Sequence, residues 1–289
     1  MRLRICHLYG NLLNTYGDNG NLLMLQYCAR EKGIDFETEI ISLDQPFDPE
    51  KYDLVFFGGG QDYEQFIVSK DIQAKAEGIK EYIENDGVVL AICGGYQLLG
   101  HYYMDASGNK IPGISALDHY TLSQDNNRFI GDITIRSEEF NETYEGFENH
   151  NGRTFLGENM RPLGKVEKGM GNNGEDKTEG ARYKNVFCSY FHGPLLVRNI
   201  HLANRIVDMA IAQHKRSKNN SNKRNFPRMG KLLFFCYSAL VVRFFRVIGH
   251  PQEMTHDACP ILPRYRTSSC IPLSVASQKR LHQNDATFC

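Results

Sequence analysis

Val88-Val89-Leu90-Ala91-Ile92-Cys93-Gly94-Gly95-Tyr96-Gln97 carries an apolar run straight into a cysteine followed by two glycines. A buried strand that ends on a nucleophilic side chain and turns at once into a helix is a nucleophile elbow. The small residues Ala91 and Gly95, two positions to either side of the cysteine, let the backbone bend that tightly. A helix opening beyond Cys93 points N–H groups back at it, which favours a thiolate and can hold an oxyanion. The competing reading makes Cys93 a buried core cysteine, the commoner fate of a free thiol.

The flanking sequence alternates strand and helix patterns. Residues 3 to 9 read as a strand, and Asn21 to Lys32 as a helix with Leu22, Leu25, Cys28 and Ala29 on one stripe and a stop at Gly33. Phe36, Thr38 and Ile40 alternate with polar neighbours as a second strand. Leu54-Val55-Phe56-Phe57 is a continuous apolar run, as expected of a strand buried on both faces, and it ends in Gly58-Gly59-Gly60. Ile72, Ala76, Ile79 and Ile83 share a helical stripe before the elbow strand. The predicted fold is α/β, a mostly parallel central sheet flanked by helices. From Ile111 to Phe191 shorter alternating runs such as Phe129 to Ile135 predict antiparallel strands appended to that same sheet. Gly169 to Gly180 reads as a mobile loop, Val186 to Phe191 as the last strand, and Asn199 as the cap of a final helix carrying Leu202, Ile206, Met209 and Ala210.

The chain has 289 residues, enough for a large core, and a formal net charge of -1, which supplies no electrostatic reason to expect a nucleic-acid partner. The N-terminus lacks the pattern of a secretory signal, so a cytoplasmic location is expected. The eight cysteines include no Cys-x-x-Cys pair, which indicates neither a zinc site nor a disulfide framework; no metal is expected. The helical pattern fails after about His214. Residues 1–213 are therefore taken as the folded domain and residues 214–289 as an atypical extension that begins with the basic, Asn-rich linker Lys215 to Arg228. The apolar run Leu232 to Val242 is too short to span a membrane. Either this tail is a basic-apolar surface for anionic lipid, or it is an accessory extension with little defined structure.

A reactive cysteine needs a base, an oxyanion hole and a group that orients the substrate. His192 lies at the end of the last strand, where Gly193 and Pro194 turn the chain away, and is expected to share a sheet with Cys93 at the strands' carboxyl ends, where ligands collect. Phe57-Gly58-Gly59-Gly60-Gln61-Asp62 can bring backbone N–H groups close to a bound oxygen, although it lacks the spacing of a dinucleotide fingerprint. In the loop Leu12 to Asn21, glycines 17 and 20 permit unusual backbone angles, and Asp18, Asn19 or Asn21 can cap the following helix.

Taken together, Ala91-Ile92-Cys93-Gly94-Gly95-Tyr96-Gln97, Gly58 to Gln65, the Asn14 to Asn21 loop, Glu148 to Arg153 and His192-Gly193-Pro194 resemble class I glutamine amidotransferases. Within them the match is to the cobyric-acid-synthase-like branch, and most narrowly to its stand-alone glutaminase subunits of lipid II isoglutaminyl synthase. The resemblance covers roughly residues 1–213. It implies that Cys93 attacks the carboxamide of L-glutamine, that Gly60 and Gly94 supply oxyanion N–H groups, that His192 is the acid and base, and that Arg128 and Gln97 bind substrate. No nucleotide-binding motif appears, so no cofactor is expected on this chain. ATP is expected on a Mur-ligase-like synthetase partner, in a heterodimer that amidates the D-glutamate of lipid II at the inner membrane face. The alternatives are an amidotransferase subunit for a cobyrinate-type acceptor and a non-catalytic partner-binding subunit. Most class I members place a glutamate two residues after the histidine, where this chain has Pro194; the expectation is an orienting acid from the partner subunit.

Overall fold

The computed structural model describes residues 1–124 and 127–225; the apolar run at 232–242, the cysteines beyond it and the lipid-contact reading of the tail lie outside the described residues. The first half of the chain alternates β1 (Arg2–Leu8), α1 (Asn19–Glu31), β2 (Asp35–Ile41), β3 (Leu54–Phe57), α2 (Asp62–Asp71), α3 (Ala76–Glu84), β4 (Val88–Ile92) and α4 (Gly94–Leu99). Short strands follow: β5 (Tyr102–Met104), β6 (Lys110–Pro112), β7 (His119–Ser123), β8 (Phe129–Ser137), β9 (Glu142–His150), β10 (Gly152–Leu156), β11 (Gly164–Lys168), β12 (Thr178–Glu179), β13 (Ala181–Tyr183), β14 (Val186–Ser189) and β15 (Phe191–His192). Helices α5 (Leu195–Arg198) and α6 (Ile200–Asn225) complete the described chain.

The central sheet has the order β13-β14-β4-β3-β1-β2, parallel throughout except where β13 pairs antiparallel with β14. Its inner strands read as continuous apolar runs because each face meets its own core. Leu54, Phe56, Val88, Leu90 and Ile92 face the α1 and α6 side with Leu25, Ala29, Leu202 and Ile206. Val55, Phe57, Val89 and Ala91 face the other side, against Val68, Ile79, Tyr82 and Ile83. Each fully buried aliphatic side chain of this kind contributes roughly 1.5–3 kcal/mol. Helix α1 stops where expected: Gly33 turns out of it at φ +68°.

From β1 the chain steps outward to β2 and then returns to the opposite side of β1 as β3. The loops leaving β1 and β3 therefore diverge, and the crevice between them is where an open α/β sheet binds its ligand.

The strands of the second half do not extend this sheet as expected; only β13 and β14 join it. The others form a sheet ordered β10-β7-β5-β6 and another ordered β12-β11-β8-β9-β15. Alternating burial along β8 and β9 marks strands with one wet face, which cannot continue a sheet covered on both sides. Instead Ile133, Ile135 and Tyr144 pack with Phe187, Leu195 and Leu196 as a separate layer.

The stretch Val186 to Phe191 is likewise not one strand. At Tyr190 it leaves the central sheet, where Ser189 pairs with Ile92, and joins the other sheet, where His192 pairs with Phe147. The buried Glu179 carboxylate accepts from the Tyr190 N–H at 2.7 Å and the Ser189 hydroxyl at 3.1 Å, and Ser189 Oγ accepts from the Phe191 N–H at 2.9 Å. These bonds satisfy backbone groups that the crossing strand would otherwise leave unpaired.

Three local expectations also change. Asn199 does not cap α6 with its side chain; its Oδ1 accepts from the Glu145 N–H and its Nδ2 donates to the carbonyls of Glu145 and Leu195, stapling β9 to α5. Helix α6 runs on through 215–225, the first part of the expected linker, because no glycine or proline interrupts it before Pro227. The 169–180 segment is bonded into the fold: Glu148 accepts from the N–H groups of Met170 and Gly171, and Asn172 bridges to Gly180.

Candidate active site

Cys93 closes β4 with φ 49° and ψ -107°, a left-handed conformation that a side chain adopts only under constraint. The constraint is visible on both sides. The Cys93 N–H donates to Ser189 O at 2.9 Å, and the Gly95 N–H donates to Gly58 O at 3.1 Å. A β-carbon on Gly95 would lie 2.4 Å from Phe57 O, so only glycine lets α4 start this close to the end of β3. The same approach puts the Gly60 amide nitrogen 3.2 Å from where a Gly94 β-carbon would sit. Two expected oxyanion donors, Gly60 and Gly94, thus come from different loops and meet beside the cysteine.

His192 arrives from β15, on the neighbouring sheet rather than the one that carries Cys93. Its Nδ1 lies 3.2 Å from Asp18 Oδ1, both side chains being buried, and Cys93 Cβ and His192 Cε1 lie 2.9 Å and 3.5 Å from where a Gly59 β-carbon would sit. The other oxygen of Asp18 accepts from the Gly59 N–H at 2.8 Å. An acid of this chain, Asp18, thus stands beside the imidazole, where one from the partner subunit was expected. Burial alone would lower the His192 pKa, but hydrogen bonds and charge from Asp18 and Cys93 override it and push it up to about 10. At neutral pH His192 is therefore an imidazolium.

Asp18 was expected only as a possible helix cap, and its side chain caps nothing. Asn14 Oδ1 accepts from the Asn19 N–H instead, at 2.9 Å, while Asn21 Oδ1 accepts from the Leu196 N–H at 2.9 Å. A β-carbon on Gly20 would come within 2.2 Å of Pro194 Cγ. The first turn of α1 is thus pressed against the segment after His192, and Pro194 fills the contact that brings Asp18 to the imidazole.

A cavity of about 490 Å³ opens over Cys93, lined also by Gly60, Gln65, Gln97, Arg128, His150 and Asn151. Arg128 Nε donates to Asn149 Oδ1 at 2.5 Å and its Nη2 to Asn149 O at 3.1 Å, which holds the guanidinium at the cavity wall. Gln97 sits at the floor, its Nε2 donating to the Tyr190 hydroxyl at 3.1 Å. His150 stacks on Tyr190 at 3.8 Å, and burial first of all lowers its pKa to about 3, so it is a neutral wall. Of the sequence candidates, Cys93, Gly60, Arg128 and Gln97 line this cavity, while Gly94 adjoins Gly60 and His192 approaches Cys93 from the Asp18 side. Sequence reasoning missed Asp18, Gln65, His150 and Glu179. The Asp18 loop and the segment holding His150 were both in view as motifs, but nothing in a linear pattern says which of their polar residues points inward.

Among the described residues no group of three or more His, Cys, Asp or Glu side chains is placed to hold a metal ion, and no helix is long and apolar enough to cross a membrane.

A strained cysteine paired with a buried imidazolium, at the carboxyl end of a doubly wound parallel sheet, is the arrangement of a cysteine-nucleophile enzyme. Residues 4–200 match the CobB/CobQ-like glutamine amidotransferase domain, and the chain belongs to that family. It is 60% identical over 210 residues to the lipid II isoglutaminyl synthase (glutamine-hydrolyzing) subunit GatD of Streptococcus pneumoniae, covering 73% of this chain and 81% of that one. To the subunit of the same name from Staphylococcus aureus it is 39% identical, over 72% of this chain and 84% of that one. A cobyric acid synthase of Listeria innocua is 32% identical over 56% of this chain, but the match covers 32% of its own length.

Proposed function

We propose that the chain is the glutaminase subunit of a two-part amidotransferase, releasing ammonia from L-glutamine for a synthetase subunit that amidates the D-glutamate of lipid II to D-isoglutamine. The observation that carries the chemistry is the convergence of Cys93, His192 and Asp18, with the Gly60 and Gly94 backbone close by. The Cys93 thiolate attacks the carboxamide carbon, and the two N–H groups hold the oxyanion, each such donor contributing about 3 to 4 kcal/mol in the transition state. The His192 imidazolium gives its proton to the departing amine as the C–N bond breaks. The neutral imidazole then takes a proton from water, whose oxygen displaces the thiolate to release glutamate. Asp18 orients the ring and balances its charge, while Arg128 and Gln97 hold the amino acid.

The choice of acceptor rests on the two relatives named as lipid II isoglutaminyl synthase subunits, each aligned over most of its length. A cobyrinate-type acceptor is less well supported, because the cobyric acid synthase match stops at 32% of that protein. In this reading the partner is a Mur-ligase-like chain that binds ATP and activates the acceptor carboxylate. It brings the complex to lipid II at the inner membrane face, and no cofactor is needed on this chain.

The test is glutamate release from glutamine, with and without the synthetase, in wild type and Cys93→Ala. The reading requires release by wild type in the complex and none by the variant; equal inactivity of the two in the complex would refute it.

A further inference from the structure

We propose that Gln65 reads the amide nitrogen of the bound substrate and so separates glutamine from its product glutamate, a role that rests on the glutaminase reading and deepens it. Gln65 is only 2% exposed, yet it belongs to the cavity wall with Cys93 and Gln97. Its Nε2 donates to Gln97 Oε1 at 2.8 Å, and Gln97 Nε2 donates to the Tyr190 hydroxyl at 3.1 Å. The Tyr190 oxygen is 2.6 Å from Thr154 Oγ1, which is 2.7 Å from Thr121 Oγ1. Helices α2 and α4, the strand switch at Tyr190, β10 and β7 are joined by this one buried row.

The row has a direction. Each carboxamide spends an N–H on the next acceptor, so the end nearest the nucleophile presents Gln65 Oε1, an acceptor. That oxygen stops 3.2 Å from where a Gly94 β-carbon would sit, the same distance as the Gly60 amide nitrogen. One acceptor and one donor thus both approach the space beside Gly94, the residue after Cys93. A substrate carboxamide satisfies both, its oxygen on the Gly60 N–H and its nitrogen on Gln65 Oε1. A glutamate carboxylate has an acceptor on each side, and one of its oxygens is set against the Gln65 carbonyl. In a buried site such a mismatched pair is costly, so product is expelled where substrate is held.

The experiment compares KM for glutamine with the inhibition constant of added glutamate, using the full chain in its synthetase complex, for wild type, Gln65→Met and Tyr190→Phe. In Gln65→Met the ratio of the glutamate inhibition constant to KM should fall about tenfold, the effect of one neutral hydrogen bond, with the thermal midpoint recorded alongside. Tyr190→Phe leaves the cavity side chains in place but removes the hydroxyl that accepts from Gln97 Nε2, and should shift the ratio the same way by less. A ratio within about twofold of wild type in Gln65→Met, with or without a general loss of activity, overturns the role. If that variant does not fold, an unchanged ratio in Tyr190→Phe overturns it. Wild type that releases no glutamate defeats the glutaminase reading itself, and this role with it.

Discussion

The carboxylate of Asp18 meets the imidazole of His192 at 3.2 Å, although 174 residues separate them along the chain. Pro194 stands where most class I amidotransferases carry the acidic partner, and Asp18, from the loop after β1, is the carboxylate that lies against the imidazole instead. Asp18→Asn should therefore lower the glutaminase rate by about 10² to 10³-fold, with the larger effect on kcat, because the imidazole loses both its orientation and its counter-charge. Addition of the synthetase should not restore it. Restoration to the wild-type rate in the complex would show that a partner acid does the orienting.

The same pair sets a pH dependence. The folded-state pKa of His192, about 10, lies above the 6.5 of an unperturbed histidine, so the pair's contribution to stability is complete below about pH 6.5 and is lost as pH rises through 10. Glutaminase activity should decline over the same alkaline limb as the imidazolium loses its proton. In Asp18→Asn that limb should move to lower pH, which pH-rate profiles and thermal midpoints measured across the range would reveal.

Glu179 behaves in the opposite sense. Burial raises its pKa to about 8 against an ordinary 4.5, so the folded protein keeps a proton that the unfolded chain releases. Stability should accordingly fall between about pH 4.5 and 8, by an amount on the order of a few kcal/mol, and level off above. Glu179→Gln keeps an acceptor for the Tyr190 N–H and should flatten that slope. An unaltered slope in denaturant titrations at pH 5 and pH 8 would mean that another group titrates.

Gly20 offers a test of how Asp18 is held. In Gly20→Ala the new methyl collides with Pro194 Cγ, at 2.2 Å in the present packing, which should cost about 1–3 kcal/mol and reduce activity by displacing Asp18. Removing the obstacle in Gly20→Ala/Pro194→Ala should recover most of both losses, a strongly non-additive pair. Additive effects in the double-mutant cycle would argue against the contact.

Cys93 carries backbone strain as well as chemistry, with φ at 49°. Cys93→Gly and Cys93→Ala should both lack glutaminase activity. The glycine variant should be the more stable by about 1 kcal/mol, since only glycine takes this φ without steric penalty. Equal thermal midpoints would show that the elbow is unstrained.

Local pattern sufficed for the parallel half of the fold and for the elbow at Cys93. Apolar runs of strand length, a 3.6-residue stripe and a cysteine between small residues are consequences of nearest-neighbour geometry, and β3, β4, α1 and Cys93 appear where those rules place them. The late histidine and the glycine loop were legible for the same reason. The second half was harder, because alternating burial shows that a strand has a wet face but not which sheet it joins. Val186 to Phe191 reads as one strand, and only the buried Glu179 beneath Tyr190 shows why it changes sheets.

The elbow, the glycine loop and the family were thus written in residue order, where a motif needs only its own neighbours. The acid partner, the polarity of the Gln65 row and the crossing of His192 onto a second sheet were not. Each depends on which of several equivalent polar side chains ends up buried and facing another, and burial is a property of packing between elements distant in the chain. Asp18 looked like any helix cap until Gly20 and Pro194 closed against each other and left its carboxylate no nearer partners than Gly59 and His192.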